Sequence, residues 1–257
     1  MTSLKSFTFH LAFLTLFLLA FIHANHAEEE ETFTQEFLKE NQDIVEKFTT
    51  KNPYFIKISD GTAKDSMFKQ DIISLFSWYT LWTRSAGYAL VNAPVPPPKD
   101  WELGDVPPEF FIDVLAGAIN DEHGDLEITK NIATKHNIDL YGSPPSKFVG
   151  VDADYMIKIA RDNPFGAWFA ANWAGVRLSR EAYLIADASA KKNGYSYAYQ
   201  DHIDVFTSAG YKNTSDGLEL ITNLIYKSKD SDRKLATKLM RNHLDFIYNI
   251  MAEDATA

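Results

Sequence analysis

Hydrophobic residues recur every three or four positions along most of the chain, which is the spacing of amphipathic helices. No segment alternates hydrophobic and polar residues between turn residues, as a half-buried strand would. Clusters of Gly, Pro and Asn separate the helical stretches. The pattern therefore predicts an all-α domain of roughly eight helices. They cover about residues 32–48, 66–92, 107–137, 152–163, 165–190, 195–208, 216–228 and 232–251, with Asp152 as the N-cap of the fourth.

The N-terminal residues have the pattern of a secretory signal peptide. Residues 11–22, LAFLTLFLLAFI, form a continuous apolar run that follows a segment with Lys5 and no acid. Small residues and then four glutamates, 28–31, come after it. The run is too short to cross a bilayer comfortably, so a signal anchor is the less favoured alternative. We predict a signal peptide at 1–27 and a single helical domain at 28–257 that is secreted to the extracellular space.

Composition narrows the classes of partner. The net charge of −10 becomes −11 without residues 1–27, and an acidic protein is a poor ligand for nucleic acid or anionic membranes. The chain has no Cys, which excludes disulfides, a Cys nucleophile and Cys metal ligands. Aromatic residues make up 14% of the chain, enough to wall a pocket as well as to fill a core. Asn213 begins an Asn-Thr-Ser sequon, so glycosylation is expected there.

One helix carries a candidate ligand wall. On the helix predicted at 66–92, Asp71, Trp78 and Trp82 align along one edge of the apolar stripe. A carboxylate in line with two indoles can bind a planar ligand by hydrogen bonding and stacking. The alternative is that the indoles fill the core and Asp71 reaches solvent.

A second candidate wall lies on the helix predicted at 195–208. Tyr195, Tyr199, His202 and Phe206 recur at three- and four-residue intervals and so share one face. We predict that Tyr199 and His202 line the same internal cavity as the two indoles of the first wall. A histidine that is satisfied inside the bundle by a Tyr hydroxyl is the alternative.

The last helix contributes His243, which lies inside its apolar stripe, whereas Asp245 lies outside it. A single histidine on an apolar face is more often structural than functional. Metal binding is not predicted, because the chain has neither a Glu-x-x-His nor a His-x-x-x-His pair at helical spacing.

Several stretches resemble the TenA/THI-4 (thiaminase II) family. Residues 52–92, which open with NPYFIKISDG, resemble its first conserved block, and residues 242–252, NHLDFIYNIMA, resemble its closing helix. Residues 119–139 and 199–206 fit the order of its helices. The resemblance implies a heme-oxygenase-like multi-helical bundle. It also implies an aminopyrimidine site between aromatic side chains, and typical members hydrolyse thiamin or its degradation products.

This chain departs from the family at the positions that carry the chemistry. Leu75 stands at the pyrimidine-binding Asp, and Asp71, one turn earlier on nearly the same face, could replace it. Trp78 stands at a family Tyr, and Asp245 stands at the C-terminal catalytic Glu. The family's Tyr-x-x-Trp-Ile-x-x-Tyr stretch corresponds to residues 199–206, and its catalytic Cys has no counterpart.

Three functions remain open. The first is a cofactor-independent hydrolase of the exocyclic C–N bond of a small aromatic heterocycle, with Asp245 or His202 as general acid/base. The second is a secreted carrier that keeps the pocket without the chemistry, and the third is a redox enzyme of the same fold. The candidate binding residues are Asp71, Trp78, Trp82, Tyr199, Phe206 and His243. A homo-oligomer is left open as a further partner.

The signal peptide gives a direct prediction. We expect the mature protein to begin near Asn25 or Glu28 and to accumulate outside the cell, because small residues follow the apolar run. N-terminal sequencing of protein from the medium checks this. Protein that keeps Met1 and stays in the cytosol would contradict it.

Overall fold

The computed structural model describes residues 31–97, 99, 107, 109–227 and 232–257. The predicted signal peptide, 1–27, lies outside these residues. Within them the chain forms ten helices and no strand, which confirms the all-α prediction. The helices are α1 (Phe33–Glu40), α2 (Gln42–Thr49), α3 (Pro53–Asp60), α4 (Asp65–Val91), α5 (Phe110–Lys135), α6 (Lys147–Asp162), α7 (Gly166–Lys192), α8 (Gln200–Thr207), α9 (Ala209–Ile225) and α10 (Arg233–Asp254).

The helix predicted at 32–48 is two helices, because the chain breaks at Asn41. The Asn41 backbone leaves the helical region, at φ −116° and ψ 35°, and its side-chain Nδ2 donates to Phe37 O at 2.9 Å. An Asn side chain that bonds the preceding turn competes with continued helix formation. Both short helices still bury their predicted apolar residues, including Phe37 and Phe48.

Helix α3 was not predicted, although its boundary residues are in the sequence. Asn52 caps it by accepting from the Tyr54 backbone N–H at 3.0 Å, and Pro53 occupies the first turn. Gly61 ends it in the left-handed conformation, at φ +80°. A Cβ on Gly61 would lie 2.5 Å from the ring of Tyr195, so a larger residue would have to displace that ring as well as adopt a strained backbone angle.

Three later helices begin at other residues than predicted. Asp152 does not cap a helix, because α6 begins five residues earlier, where the Ser146 hydroxyl accepts from the Phe148 N–H at 3.3 Å. Asp152 is instead buried in the middle of α6. Tyr195 lies in the loop before α8 and is 42% exposed, so it does not share the face of that helix. Helix α9 begins at Ala209 rather than residue 216, with Ser208 as its N-cap.

Helix α7 runs through the centre of the bundle. It packs against α2, α3, α9 and α10, and it buries Trp168, Trp173 and Tyr183 completely. Alanines and glycines fill much of its first half, so neighbouring helices can approach closely. Helix α4 packs against α5 and α6 to form the other side of the domain. None of the helices in the described part of the chain is long and apolar enough to cross a membrane.

Candidate functional site

A cavity of about 780 Å³ lies inside the bundle, walled by side chains from α4, α5 and α7 to α10. Its volume is in the range of small-molecule sites, which is roughly 300–1,000 Å³. Most of its wall is apolar and aromatic, and a few polar groups converge on it. The polar groups from α4, α7 and α10 are Asp71, Ser74, Asn172, Ser179 and His243.

Helix α4 supplies one continuous wall, and it includes the three residues predicted to align there. Asp71, Trp78 and Trp82 all line the cavity, and Leu75 lies between them. The two indoles are fixed by buried acceptors: Trp78 Nε1 donates to Asp152 Oδ2 at 2.6 Å, and Trp82 Nε1 donates to Asn172 Oδ1 at 2.6 Å. Their ring planes are therefore held by α6 and α7 before any ligand arrives.

Asp71 is buried, not solvent-exposed, and three groups from three other helices bond to it. The hydroxyls of Tyr54 and Tyr183 donate to Asp71 Oδ2 at 2.7 and 3.0 Å, and His202 Nε2 lies 2.6 Å from the same oxygen. Within the described residues nothing bonds Asp71 Oδ1. Because Asp71 lines the cavity, Oδ1 is the carboxylate oxygen left for a ligand.

Both phenols remain donors over the ordinary pH range. Burial, followed by the negative charge of Asp71, raises the pKa of Tyr54 well above its usual value. The same two causes raise the pKa of Tyr183. Two hydroxyls that keep their protons therefore hold the carboxylate in one orientation.

A second buried carboxylate lies behind the cavity wall. Asp254 is fully buried at the end of α10; Ser74 Oγ donates to its Oδ1 at 3.0 Å, and its Oδ2 has no partner in the described structure. Burial, with the charge of Asp71 second, raises the pKa of Asp254 to about 8. Asp254 is therefore mostly protonated at neutral pH.

A third buried carboxylate holds a histidine on the cavity wall. His243 Nδ1 lies 2.8 Å from Asp152 Oδ1, and both side chains are fully buried. A carboxylate only accepts hydrogen bonds, so Nδ1 carries a proton, and in the neutral imidazole Nε2 is then the acceptor. Gly175 on α7 gives the ring its room, because a Cβ there would lie 2.9 Å from His243 Nε2.

Three candidate residues on or next to α8 have different positions relative to the cavity. Phe206 lines it and stacks on Tyr183, with ring centroids 4.2 Å apart. His202 lies one layer behind, bonded to Asp71 and not part of the wall. Tyr199 does not line the cavity: its ring stacks between those of Phe68 and His136, at 5.5 and 4.2 Å. The prediction that Tyr199 and His202 share the wall with the indoles is therefore corrected.

Asp245, predicted as a catalytic acid, is on the surface. It pairs with Lys47 at 2.7 Å, and its side chain is 48% exposed. The reason is helical geometry, because a residue two positions after His243 is rotated by about 200° around the helix. His243 and Ile247 face the cavity, so Asp245 faces outwards.

Asn213 is exposed on α9 at the rim of the cavity, and its glycosylation stays a prediction. No group of three or more His, Asp or Glu side chains that could hold a metal is found among the described residues.

Sequence reasoning missed four buried polar residues that organise the site: Tyr54, Asp152, Tyr183 and Asp254. For Asp152 a signal existed. It shares a helix face with Val149 and Met156, so a carboxylate interrupts an apolar stripe and has to find donors inside the protein. The other three gave no comparable signal, because their partners come from distant segments.

Solved structures share this fold over nearly the whole domain. A TenA homologue from Pyrococcus furiosus aligns with a TM-score of 0.69 at 18% identity, over 87% of this chain and 99% of its own. A protein named as a TenA family transcription regulator, from Silicibacter sp., aligns with a TM-score of 0.69 at 12% identity, over 88% of this chain and 97% of its own. A protein named as a TenA-like thiaminase, from Sulfolobus solfataricus, aligns with a TM-score of 0.60 at 11% identity, over 86% of this chain and 94% of its own.

No family model matches the chain, and no curated protein sequence matches it. The structural likenesses confirm the predicted TenA fold, a heme-oxygenase-like bundle. At these identities they establish the fold alone.

The raised pKa of Asp254 predicts how stability depends on pH. Between about pH 4 and pH 8 the folded protein holds a proton on Asp254 that the unfolded chain has released, so the free energy of unfolding falls as pH rises. Asn mimics the protonated acid and does not titrate. We therefore expect the free energy of unfolding of Asp254→Asn, relative to that of the wild type, to rise by on the order of 1 kcal/mol per pH unit across this window. Above the window the difference between the two proteins should stay constant.

Urea unfolding followed by circular dichroism at several pH values measures the difference. The matched control is Asp245→Asn on the same helix, which removes a surface ion pair and should change stability by less than about 1 kcal/mol, independently of pH over this window. Parallel pH profiles for wild type and Asp254→Asn would show that Asp254 is ionised in the folded state.

Proposed function

We propose that this chain is a secreted TenA-like protein whose cavity binds a thiamin-related aminopyrimidine and hydrolyses its exocyclic C–N bond without a Cys nucleophile. The observation that carries the proposal is Asp71 Oδ1, the unbonded oxygen of a buried and otherwise satisfied carboxylate, in a cavity walled by indoles. Secretion rests on the apolar run at residues 11–22.

A 4-aminopyrimidine suits this wall because it is planar and carries amino N–H donors on its edge. Asp71 can accept one of those donors, and a charge-assisted hydrogen bond in a desolvated pocket is stronger than a neutral one. Trp78 and Phe206 line the same cavity and are the aromatic rings proposed to stack on the ligand. Asp71 would in this way replace the acid that the family has at Leu75, as its place on the same helix face allows.

The charge of the wall favours neutral or cationic ligands over phosphate esters. Asp71 and Asp125 line the cavity, and none of its lining residues in the described part of the chain is Lys or Arg. A phosphate would enter without a cation to pair with, which is costly in a low-dielectric site. Thiamin, which is a cation, meets no such penalty.

The relatives support the thiamin-related class. One structure of the same fold is named as a thiaminase, and others are named as TenA homologues. The absence of Cys and the presence of Leu75 indicate that the ordinary family reaction is weakened. Binding without turnover would favour the secreted carrier instead.

Binding tests the proposal directly. We expect thiamin to bind more tightly than thiamin monophosphate, and Asp71→Asn to weaken the binding of thiamin by about tenfold or more. One lost charge-assisted hydrogen bond is worth roughly 1.5–3 kcal/mol, and about 1.4 kcal/mol is tenfold in affinity. Isothermal titration calorimetry measures all of these affinities.

The matched control is Asp204→Asn, an exposed carboxylate on α8 away from the cavity, which should leave the affinity unchanged. Thermal unfolding of Asp71→Asn verifies that it is folded. Equal affinity for thiamin in the wild type and the folded Asp71→Asn protein would contradict the role of this carboxylate. Failure of the wild type to bind thiamin or an aminopyrimidine would contradict the proposed function.

Turnover of thiamin itself should be weak. We expect kcat/KM at least about 100-fold below that of a Cys-containing family member, because loss of a catalytic nucleophile or acid/base group costs roughly 10²–10⁴. Release of the thiazole product, quantified by chromatography, measures it. Turnover equal to that of a Cys-containing member assayed in parallel would refute this expectation.

A further inference from the structure

His243 on the cavity wall and Asp152 behind it form an Asp–His couple that the resemblance to the family does not assign. We propose that His243 is the general base of this site, oriented by Asp152, which activates the water that attacks the ligand. The inference rests on the proposed function, because it names the group that does the hydrolytic chemistry there. It differs from the roles expected for Asp245 and His202, which lie on the surface and behind the wall.

Geometry fixes which nitrogen can act. Asp152 Oδ1 takes the proton of His243 Nδ1 at 2.8 Å, and Asp152 Oδ2 is occupied by the indole of Trp78 at 2.6 Å. The carboxylate therefore has one donor on each oxygen and its orientation is set. The neutral imidazole is left with Nε2 as a proton acceptor, and His243 lines the cavity.

Among the described residues that line the cavity, His243 is the one imidazole. Asp71 Oδ1 faces the ligand as a binding group, and Asp254 is protonated near neutral pH behind the wall. Asp125 is a lining residue of α5, together with Gly124 and Ile128. His243 extends from α10, beside the α4 wall to which Asp71 belongs.

Burial makes this couple costly as a purely structural element. Asp152 and His243 are fully buried on apolar faces of α6 and α10, and an apolar pair would fill the same space without desolvation. Gly175 keeps the ring against α7, where any larger residue would collide with Nε2. Three helices therefore provide the position of one imidazole.

The step balances as a hydrolysis. His243 Nε2 removes a proton from water, and the water oxygen forms a C–O bond at the exocyclic carbon. The C–N bond breaks with its electron pair on the leaving nitrogen, which receives the proton from the imidazolium. An aminomethyl pyrimidine and water thus give a hydroxymethyl pyrimidine and ammonia, and His243 returns to its neutral form.

The test uses the mature full chain and 4-amino-5-aminomethyl-2-methylpyrimidine, with ammonia release and calorimetric affinity as readouts. In His243→Asn the amide can still donate to Asp152, whereas the acceptor at Nε2 is lost. We expect kcat to fall at least about 100-fold with the affinity within about threefold of wild type. His123→Asn, an exposed histidine on α5, is the matched control and should keep wild-type kcat.

Asp152→Asn tests the positioning role. It keeps the imidazole but no longer fixes its tautomer, so we expect kcat to fall by about 10-fold or more with KM little changed. If His243→Asn no longer binds the ligand, Asp152→Asn becomes the deciding test of the general base. A kcat equal to that of the wild type in Asp152→Asn then overturns the proposal.

The failures are distinguishable. A wild-type kcat in a His243→Asn protein that binds ligand overturns the general base alone and leaves the proposed hydrolase standing. Binding by the wild type with no ammonia release overturns the general base and the hydrolytic half of the function, and favours the carrier. No binding by the wild type overturns both.

Discussion

Buried carboxylates are the constraint on which this helical bundle depends. Asp71, Asp152 and Asp254 are all buried, and no Lys or Arg side chain in the described part of the chain bonds to them. Each must therefore find neutral or imidazole donors on other helices. Asp71 alone joins α4 to α3, α7 and α8 through Tyr54, Tyr183 and His202. Hydrogen bonds between helices that are far apart in sequence thus fix the relative positions in which the apolar helix faces pack.

The same constraint creates the asymmetry of the cavity. Asp71 has three donors on one oxygen, whereas Asp254 has a single hydroxyl donor and a pKa of about 8. Of these two nearby carboxyl groups, Asp254 is therefore mostly protonated at neutral pH. The neutral one fills space behind Ser74, and the other keeps an oxygen for the cavity.

Helical periodicity predicted more of the fold than of the site. The spacing of Asp71, Trp78 and Trp82 was enough to place all three on one wall. They belong to one uninterrupted helix of 27 residues, so the angular positions of their side chains follow directly from the helical repeat. Tyr195 and Tyr199 failed the same argument, since α8 starts only at Gln200 and periodicity has no meaning in the loop before it. Asp245 was assigned by alignment to a family position, whereas the helix phase already set it outside the apolar stripe. Of the donors to Asp71, His202 was among the residues predicted to face inwards, whereas Tyr54 and Tyr183 could not be predicted, because they come from helices more than ten residues away in sequence.

The absence of Cys gives the buried histidine its importance. Without a thiol nucleophile, water must be activated by a general base, and such a base needs an acceptor atom that is free to take a proton. Among the described residues that line the cavity, His243 combines the two, since Asp152 occupies Nδ1 and Nε2 is unbonded. Trp78 donates to the other oxygen of Asp152 and helps to orient that carboxylate, which in turn orients His243. The same indole is also proposed to stack on the ligand. Ligand stacking and proton abstraction would then depend on the same carboxylate, which couples the two functions through one residue of α6.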